Sequence, residues 1–283
     1  MNFPIPFTKL SGSGNDFIVI DHRTPFLDPG DLAAFARAVC RRKFSVGADG
    51  LILIEQSDEA DFAWTFLNAD GSIAEMCGNG ARCAARFAFV NGIAPASMRF
   101  KTLAGIIAAE IVGDQVKLAM TPPTSLELDA TLAVAGEQQP IHSLNTGVPH
   151  AVLFVDDAQA TPVVAWGREI RRHAHFQPAG TNANFVQVLG PAALHVRTYE
   201  RGVEDETMAC GTGAVAAAII AALTNRVTPP VTVTTSGGEP LIIHFTAPEK
   251  ATQPPAEVFL EGAAKIIYTG QLQHDAVTGQ TIR

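Results

Sequence analysis

Two short stretches carry the residues best suited to do chemistry. Met76-Cys77-Gly78-Asn79-Gly80 and Ala209-Cys210-Gly211-Thr212-Gly213 each place a cysteine just ahead of a Gly-x-Gly turn, and an apolar helix-forming run follows each. A helix start leaves its first backbone N–H groups without intrahelical partners, and the helix dipole adds positive potential there. Such a place binds a carboxylate or phosphate and is expected to lower the pKa of a cysteine seated on it, giving a thiolate near neutral pH. The glycines permit close approach of a ligand to the backbone. Two thiols flanking one substrate suit inversion at an α-carbon: one thiolate removes the α-proton from one face while the other thiol delivers a proton to the opposite face. The carbanion's charge then spreads onto a carboxylate already held by fixed donors, where electrostatic stabilisation is most effective. That chemistry needs no electron-sink cofactor, and neither a cofactor nor a metal is expected.

The two stretches belong to a duplication. Gly14 of SGSGNDFIVI and Gly147 of NTGVPHAVLF, Gly47 of GADGLILI and Gly180 of GTNANFVQV, and Cys77 and Cys210 are all separated by 133 residues. Thr102 and Gly105 repeat at the same spacing as Thr235 and Gly238. Collinear glycine-bearing motifs at one offset mark two equivalent halves. Pseudo-two-fold symmetry would bring the two cysteine turns to face each other across one cleft.

Each half reads as the same order of elements. A glycine turn leads into an apolar strand, Phe17–Ile20 or Val152–Val155, and a helix follows, Asp31–Lys43 with Asp31 as N-cap, or Trp166–His173. A second strand comes next, Leu51–Ile54 or Phe185–Val188. Beyond the cysteine turns lie the runs Ala81–Val90 and Ala214–Leu223. The second is apolar on every face and should be buried all round; the first is nearly so, interrupted by Arg82 and Arg86. Hairpin-like strands over Phe100–Met120 and Val231–Tyr268 close the halves, and strands wrapped around each apolar helix are the natural packing. The expected class is α/β (α+β), with two domains bounded near Pro122-Pro123.

Composition narrows the functional classes. Hydrophobic residues make up 47% and charged residues 17% of the 283, with a net charge of −8. This is the balance of a globular chain, and the acidic excess disfavours nucleic acid as a partner. The one basic cluster, Arg41-Arg42-Lys43, reads as a helix-terminus charge. Met1-Asn2-Phe3-Pro4-Ile5-Pro6 lacks a basic start and a long apolar run, so no signal peptide is expected, and Ala214–Leu223 is too short for a membrane span. A cytoplasmic location with reduced thiols follows. Cys40 and Cys83 read as core residues, and Glu204-Asp205-Glu206 as solvated surface. Gly12 and Gly14 precede a strand, which disfavours a dinucleotide loop. For His150, structural and functional readings both stand.

With these residues in hand, the chain resembles the diaminopimelate epimerase family over essentially its whole length, through KLSGSGNDFIVID, VGADGLILIE, FLNADGSIAEMCGNGARC, TGVPH, GTNANFVQV and YERGVEDETMACGTGA. The resemblance implies two pseudo-symmetric domains, 1–122 with 265–283 and 123–264, each a β-rich barrel around a central helix, with the last strand near Lys265–Gln271 returning to the first. It implies interconversion of LL- and meso-diaminopimelate, for lysine and peptidoglycan synthesis, without pyridoxal phosphate or metal. Cys77 and Cys210 become the acid–base pair, and Gly78, Asn79, Gly211 and Thr212 hold the reacting carboxylate. His150 and Glu200 lie by the reacting ammonium group, while Asn15, Asn68, Asn182 and Arg201 recognise the distal amino-carboxylate, Arg201 by a bidentate grip. Many members carry Gly-Asn-Pro-His where this chain has Gly147-Val148-Pro149-His150, which leaves Asn15, the repeat counterpart of Val148, a larger share of distal recognition. A homodimer is compatible with the sequence, which carries no direct signal of oligomeric state.

Three other readings compete. A proline racemase or hydroxyproline epimerase resembles MCGHG at the first turn and needs no distal clamp, and a relative acting on another long amino acid such as histidine differs only in substrate. A phenazine-type isomerase or a non-catalytic binding module on the same scaffold would lack one or both cysteines. A thiol-redox protein is disfavoured, since the cysteines lie in separate halves without CxxC spacing.

Overall fold

The computed structural model describes residues 2–74, 76–248 and 252–277. The chain runs β1 (Ile5–Gly12), β2 (Asn15–Asp21), α1 (Leu32–Val39), β3 (Gly50–Glu55), β4 (Phe62–Asn68), α2 (Gly78–Val90), β5 (Ser97–Thr102), β6 (Gly105–Val112) and β7 (Gln115–Ala119). It continues through β8 (Thr124–Val134), β9 (Glu137–Asn145), β10 (Pro149–Phe154), α3 (Val163–Arg172), β11 (Asn182–Gly190), β12 (Ala193–Glu200), β13 (Asp205–Thr207) and α4 (Gly211–Leu223). The closing strands are β14 (Val231–Thr235), β15 (Pro240–Phe245), β16 (Val258–Ala263) and β17 (Lys265–Leu272). Two compact units result: Met1–Leu118 with Gly262–Arg283, and Ala119–Glu261. No helix among the described residues is long and apolar enough to cross a membrane.

In the first unit β1 pairs antiparallel with β2 and, along its other edge, with the returning β17 from Ile5↔Leu272 to Ser11↔Lys265. β2 pairs parallel with β3, β3 antiparallel with β4, and β5, β6 and β7 form a meander. Phe17–Ile20 and Leu51–Ile54 are uninterrupted apolar runs because their strands are covered on both faces. α2 packs against one side of β1, β2 and β3, while Phe35, Ala36 and Val39 of α1 cluster with Ile18, Ile20, Leu51 and Leu53.

The second unit repeats the plan. β10 pairs parallel with β11, β11 antiparallel with β12, and β12 parallel with β14. α4 is surrounded by β9, β10, β11, β12, β14 and β15. Every residue from Gly213 to Leu223 except Ala222 is buried, as the all-apolar sequence of this helix requires. α3 lies over β11 and β12, with Val163 and Ile170 in one cluster with Phe185 and Tyr199.

Several local expectations are corrected. Asp31 does stand at the N-cap of α1, but there it ends a 3₁₀ turn at φ −99°, ψ −11°, and its side chain makes no capping hydrogen bond to the helix. That helix stops at Val39, and Lys43 sits at φ 72°, so Arg41-Arg42-Lys43 lies in the following turn. There Arg42 bridges Asp16 and Asp49 instead of charging a helix end. α3 begins at Val163 and ends at Arg172, with His173 extended. Glu204 and Glu206 are bonded, not merely solvated: Arg171 and the Tyr199 hydroxyl donate to Glu204, and Arg197 grips both oxygens of Glu206. Within the Val231–Tyr268 hairpin region, residues 249–251 lie outside the described ones, as do 278–283 of the first expected domain.

Candidate active site

Both cysteines sit where the motif spacing put them, at the N-cap of a thirteen-residue helix. Cys77 is extended at φ −146°, ψ 116°, its carbonyl accepts from Ala81 N, and its Sγ accepts from Gly80 N at 3.5 Å. A Cβ added to Gly78, the first residue of α2, would meet no atom within 4 Å. Protein packing therefore does not demand this glycine, and its backbone N–H at the helix start stays open to close approach.

Asn79, in the same turn, donates from Nδ2 to Asn15 Oδ1 at 2.7 Å, and Asn15 donates in turn to Asp49 at 3.1 Å. Arg82, fully buried one turn along α2, donates to Asn79 Oδ1 at 2.9 Å and to Ser13 Oγ at 2.7 Å. The Ser-Gly-Ser-Gly turn packs tightly on the helix here, since a Cβ at Gly12 would come within 2.9 Å of Asn79 O. Asn15 and Asn79 thus form one chain of amides, held at its ends by Arg82 and by the Asp16–Asp49–Arg42 group. Asn68, at the end of β4, donates to Ser72 Oγ at 3.0 Å.

In the second unit Cys210 is extended at φ −118°, ψ 106°, with the Thr212 hydroxyl 3.5 Å from its Sγ and the buried Thr146 hydroxyl donating to Thr212 O at 3.0 Å. Gly213 is demanded by packing: a Cβ there would fall 2.3 Å from Asn184 Oδ1 and 3.3 Å from Cys210 Sγ. His150 is fully buried on β10, its Nδ1 is 3.1 Å from Asn184 Nδ2, and its Nε2 has no partner among the described residues. Asn182 accepts the Arg201 backbone N–H at 2.8 Å and donates to Pro149 O at 3.1 Å, while the Arg201 guanidinium reaches Ala179 O at 2.9 Å. Asn182 and Arg201 therefore form one assembly at the end of β12, next to Glu200.

The electrostatics correct one expectation. Burial pushes the Cys210 thiol up to about 12, and the Glu200 carboxylate reinforces the shift against the opposing Thr212 hydrogen bond. The helix dipole thus does not overcome desolvation here, and Cys210 is a thiol at neutral pH. Burial also raises Glu200 above the usual carboxylate range and pushes His150 down to about 3, leaving a neutral imidazole. Cys40 is raised by burial to about 12 as well.

A group whose folded pKa lies above its unfolded value, about 8.5 for a thiol, favours the fold below the unfolded value and loses that contribution as pH rises through the folded one. Thermal melting is therefore expected to weaken between about pH 8.5 and 12, and Cys40→Ala and Cys210→Ala should each shallow that decline. An equal slope in both variants would contradict the shifts.

The sequence reading missed Arg42, Asp16, Asp49, Arg82 and Asn184. Most lie inside the motif stretches themselves, Asp16 in GNDF, Asp49 in GADG, Arg82 in GARC and Asn184 in TNANF. A polar residue inside a run that should be core is the signal that could have found Asn184.

The family model for diaminopimelate epimerase matches residues 7–126 and 142–266. The diaminopimelate epimerase of Aquifex aeolicus is 49% identical over 282 residues, covering 96% of this chain and 99% of that protein. Among solved structures, a Bacillus anthracis phenazine biosynthesis protein of the PhzF family superposes with a TM-score of 0.70 at 14% identity, over 96% of this chain and 100% of that one. A probable proline racemase from Agrobacterium radiobacter gives 0.68 at 17%, over 97% and 94%. At such identities these two structures share the fold.

Proposed function

Since the chain belongs to the diaminopimelate epimerase family, we propose that it is the isomerase interconverting LL- and meso-diaminopimelate, with Cys77 and Cys210 as its acid–base pair. One observation carries this reading. Both thiols stand at the N-cap of the buried central helix of their unit, at equivalent places in the repeat. One sulfur takes the α-proton as thiolate while the other, as thiol, protonates the opposite face.

The developing carbanion is stabilised through the substrate carboxylate, held by N–H groups of Gly78, Asn79, Gly211 and Thr212 at the two helix starts. Glu200 takes the reacting ammonium. The assembly of Asn182 with Arg201, together with Asn15 and Asn68, reads the distal amino-carboxylate. The proposal extends to a cytoplasmic setting in lysine biosynthesis and to a homodimer, for which the exposed run Ile266-Ile267-Tyr268 of β17 offers apolar surface. Purified protein incubated with LL-diaminopimelate alone is expected to reach a mixture with the meso form by chiral chromatography. Unchanged LL-isomer, with turnover of another amino acid in a substrate panel, would replace the substrate and keep the chemistry.

A further inference from the structure

The layer of side chains beneath the start of α4 differs in kind from its counterpart beneath α2. In the second unit it contains His150, Asn184 and Thr198, exposed by 0%, 1% and 3%. By strand register, His150 and Val152 pair with Asn182 and Asn184 as Phe17 and Val19 pair with Gly50 and Ile52, so His150 corresponds to Phe17 and Asn184 to Ile52. Asn184 faces Thr198 across β11 and β12, and Ile52 faces Phe66 across β3 and β4. Phe17, Ile52 and Phe66 are likewise buried, exposed by 1%, 0% and 5%. The fold therefore builds this layer from three apolar side chains in one half and three polar ones in the other. Burying polar groups costs stability unless each is bonded, so folding does not call for the polar set.

The hydrogen bonds of that set fix one proton. Asn184 Nδ2 lies 2.8 Å from Ala151 O, which can only accept, so this end of the amide is the NH₂ group. The Thr198 hydroxyl donates to Asn184 Oδ1 at 2.9 Å, holding the amide in that sense. The second Nδ2 proton points to His150 Nδ1 at 3.1 Å, which must then accept. In a neutral imidazole the proton is left on Nε2, the atom that is buried without a partner among the described residues.

We propose that Asn184 is a positioning residue that holds His150 as the Nε2–H tautomer, so that this buried donor meets an anion during the reaction. This rests on the epimerase reading above and refines it: a donor-only Nε2 has nothing to offer an ammonium group, which is left to Glu200. The anion is either the substrate's reacting carboxylate or the Cys210 thiolate.

The test is ring-nitrogen NMR of the full-length protein labelled with ¹⁵N-histidine, the His150 signals being identified by their loss in His150→Gln. The wild-type protein is expected to show protonated Nε2 and bare Nδ1. In Asn184→Asp the new carboxylate should draw the proton to Nδ1, with kcat lower by about 10²-fold, the scale of losing a partner that orients a reacting histidine. Asn184→Ile restores the first unit's residue, and it should fold, lose the fixed tautomer and lose activity similarly. A shift of Nε2 on adding LL-diaminopimelate to Cys210→Ala assigns the anion to the carboxylate. An alkaline shift without substrate, abolished in Cys210→Ala, assigns it to the thiolate. Protonated Nδ1 in the wild type, an unmoved tautomer or unchanged kcat in Asn184→Asp, or neither shift, would overturn the proposal. Because the tautomer is read without turnover, it can fail while both cysteines remain essential, or hold when diaminopimelate is not the substrate.

Discussion

Cys77→Ala and Cys210→Ala are each expected to lower kcat on the order of 10⁴-fold or more, the upper range for loss of an acid or base acting on carbon. Neither change should unfold the protein. Each cysteine caps its helix mainly through its backbone, the carbonyls of Cys77 and Cys210 accepting from Ala81 and Ala214 at 2.8 and 2.9 Å, and alanine keeps those bonds. Cys40→Ala and Cys83→Ala serve as controls: both residues are buried core, so their loss costs stability of about 1 kcal/mol and leaves substantial activity. Steady-state rates alongside thermal melts separate the two outcomes. Appreciable turnover in either Cys77→Ala or Cys210→Ala would remove that thiol from the acid–base pair.

Arg201→Met is expected to lower kcat/KM by about 10²-fold, with both parameters affected. A charge-assisted bond to a carboxylate contributes about 1.5–3 kcal/mol, and binding energy at the distal end also places the reacting carbon. Asn182 fixes the Arg201 backbone and Ala179 O takes one guanidinium N–H. The fork therefore presents itself already oriented, and little order remains to be imposed when substrate arrives. Arg201→Lys keeps the charge but not the planar pair of donors, and should recover only part of the loss. Kinetics unchanged in Arg201→Met would place the distal clamp elsewhere.

How much of this was legible in the sequence depended on whether neighbours along the chain or across the fold set the outcome. The starts of α2 and α4 were readable because a glycine turn, a cap position and an apolar run are all local. So was the burial of α4, whose residues leave no polar face. The end of α1 was not: its apolar pattern continues to Cys40, but the left-handed turn at Lys43 and the bridging of Asp16 and Asp49 by Arg42 are set by β2 and by the loop before β3. Glu204 and Glu206 looked like surface because Arg171 and Arg197 are distant in sequence. The helix dipole argued for an acidic Cys210, and burial beside Glu200 reverses that. Asn184 was hidden by its own motif, in which Asn182 attracted the attention as a distal contact.

The isotopic content of the first product formed in D₂O tests the two-thiol account most directly. Each thiol is taken to reach only one face of the α-carbon, and the donating thiol exchanges with solvent before substrate arrives. The earliest inverted product should therefore carry deuterium at the α-carbon almost completely, while unreacted LL-diaminopimelate stays nearly unlabelled because the sulfur that took its proton returns it. Mass spectrometry of the two separated isomers over the first few per cent of conversion reads both quantities. Early product that retains a large share of protium would mean that one group serves both faces, and would contradict the account.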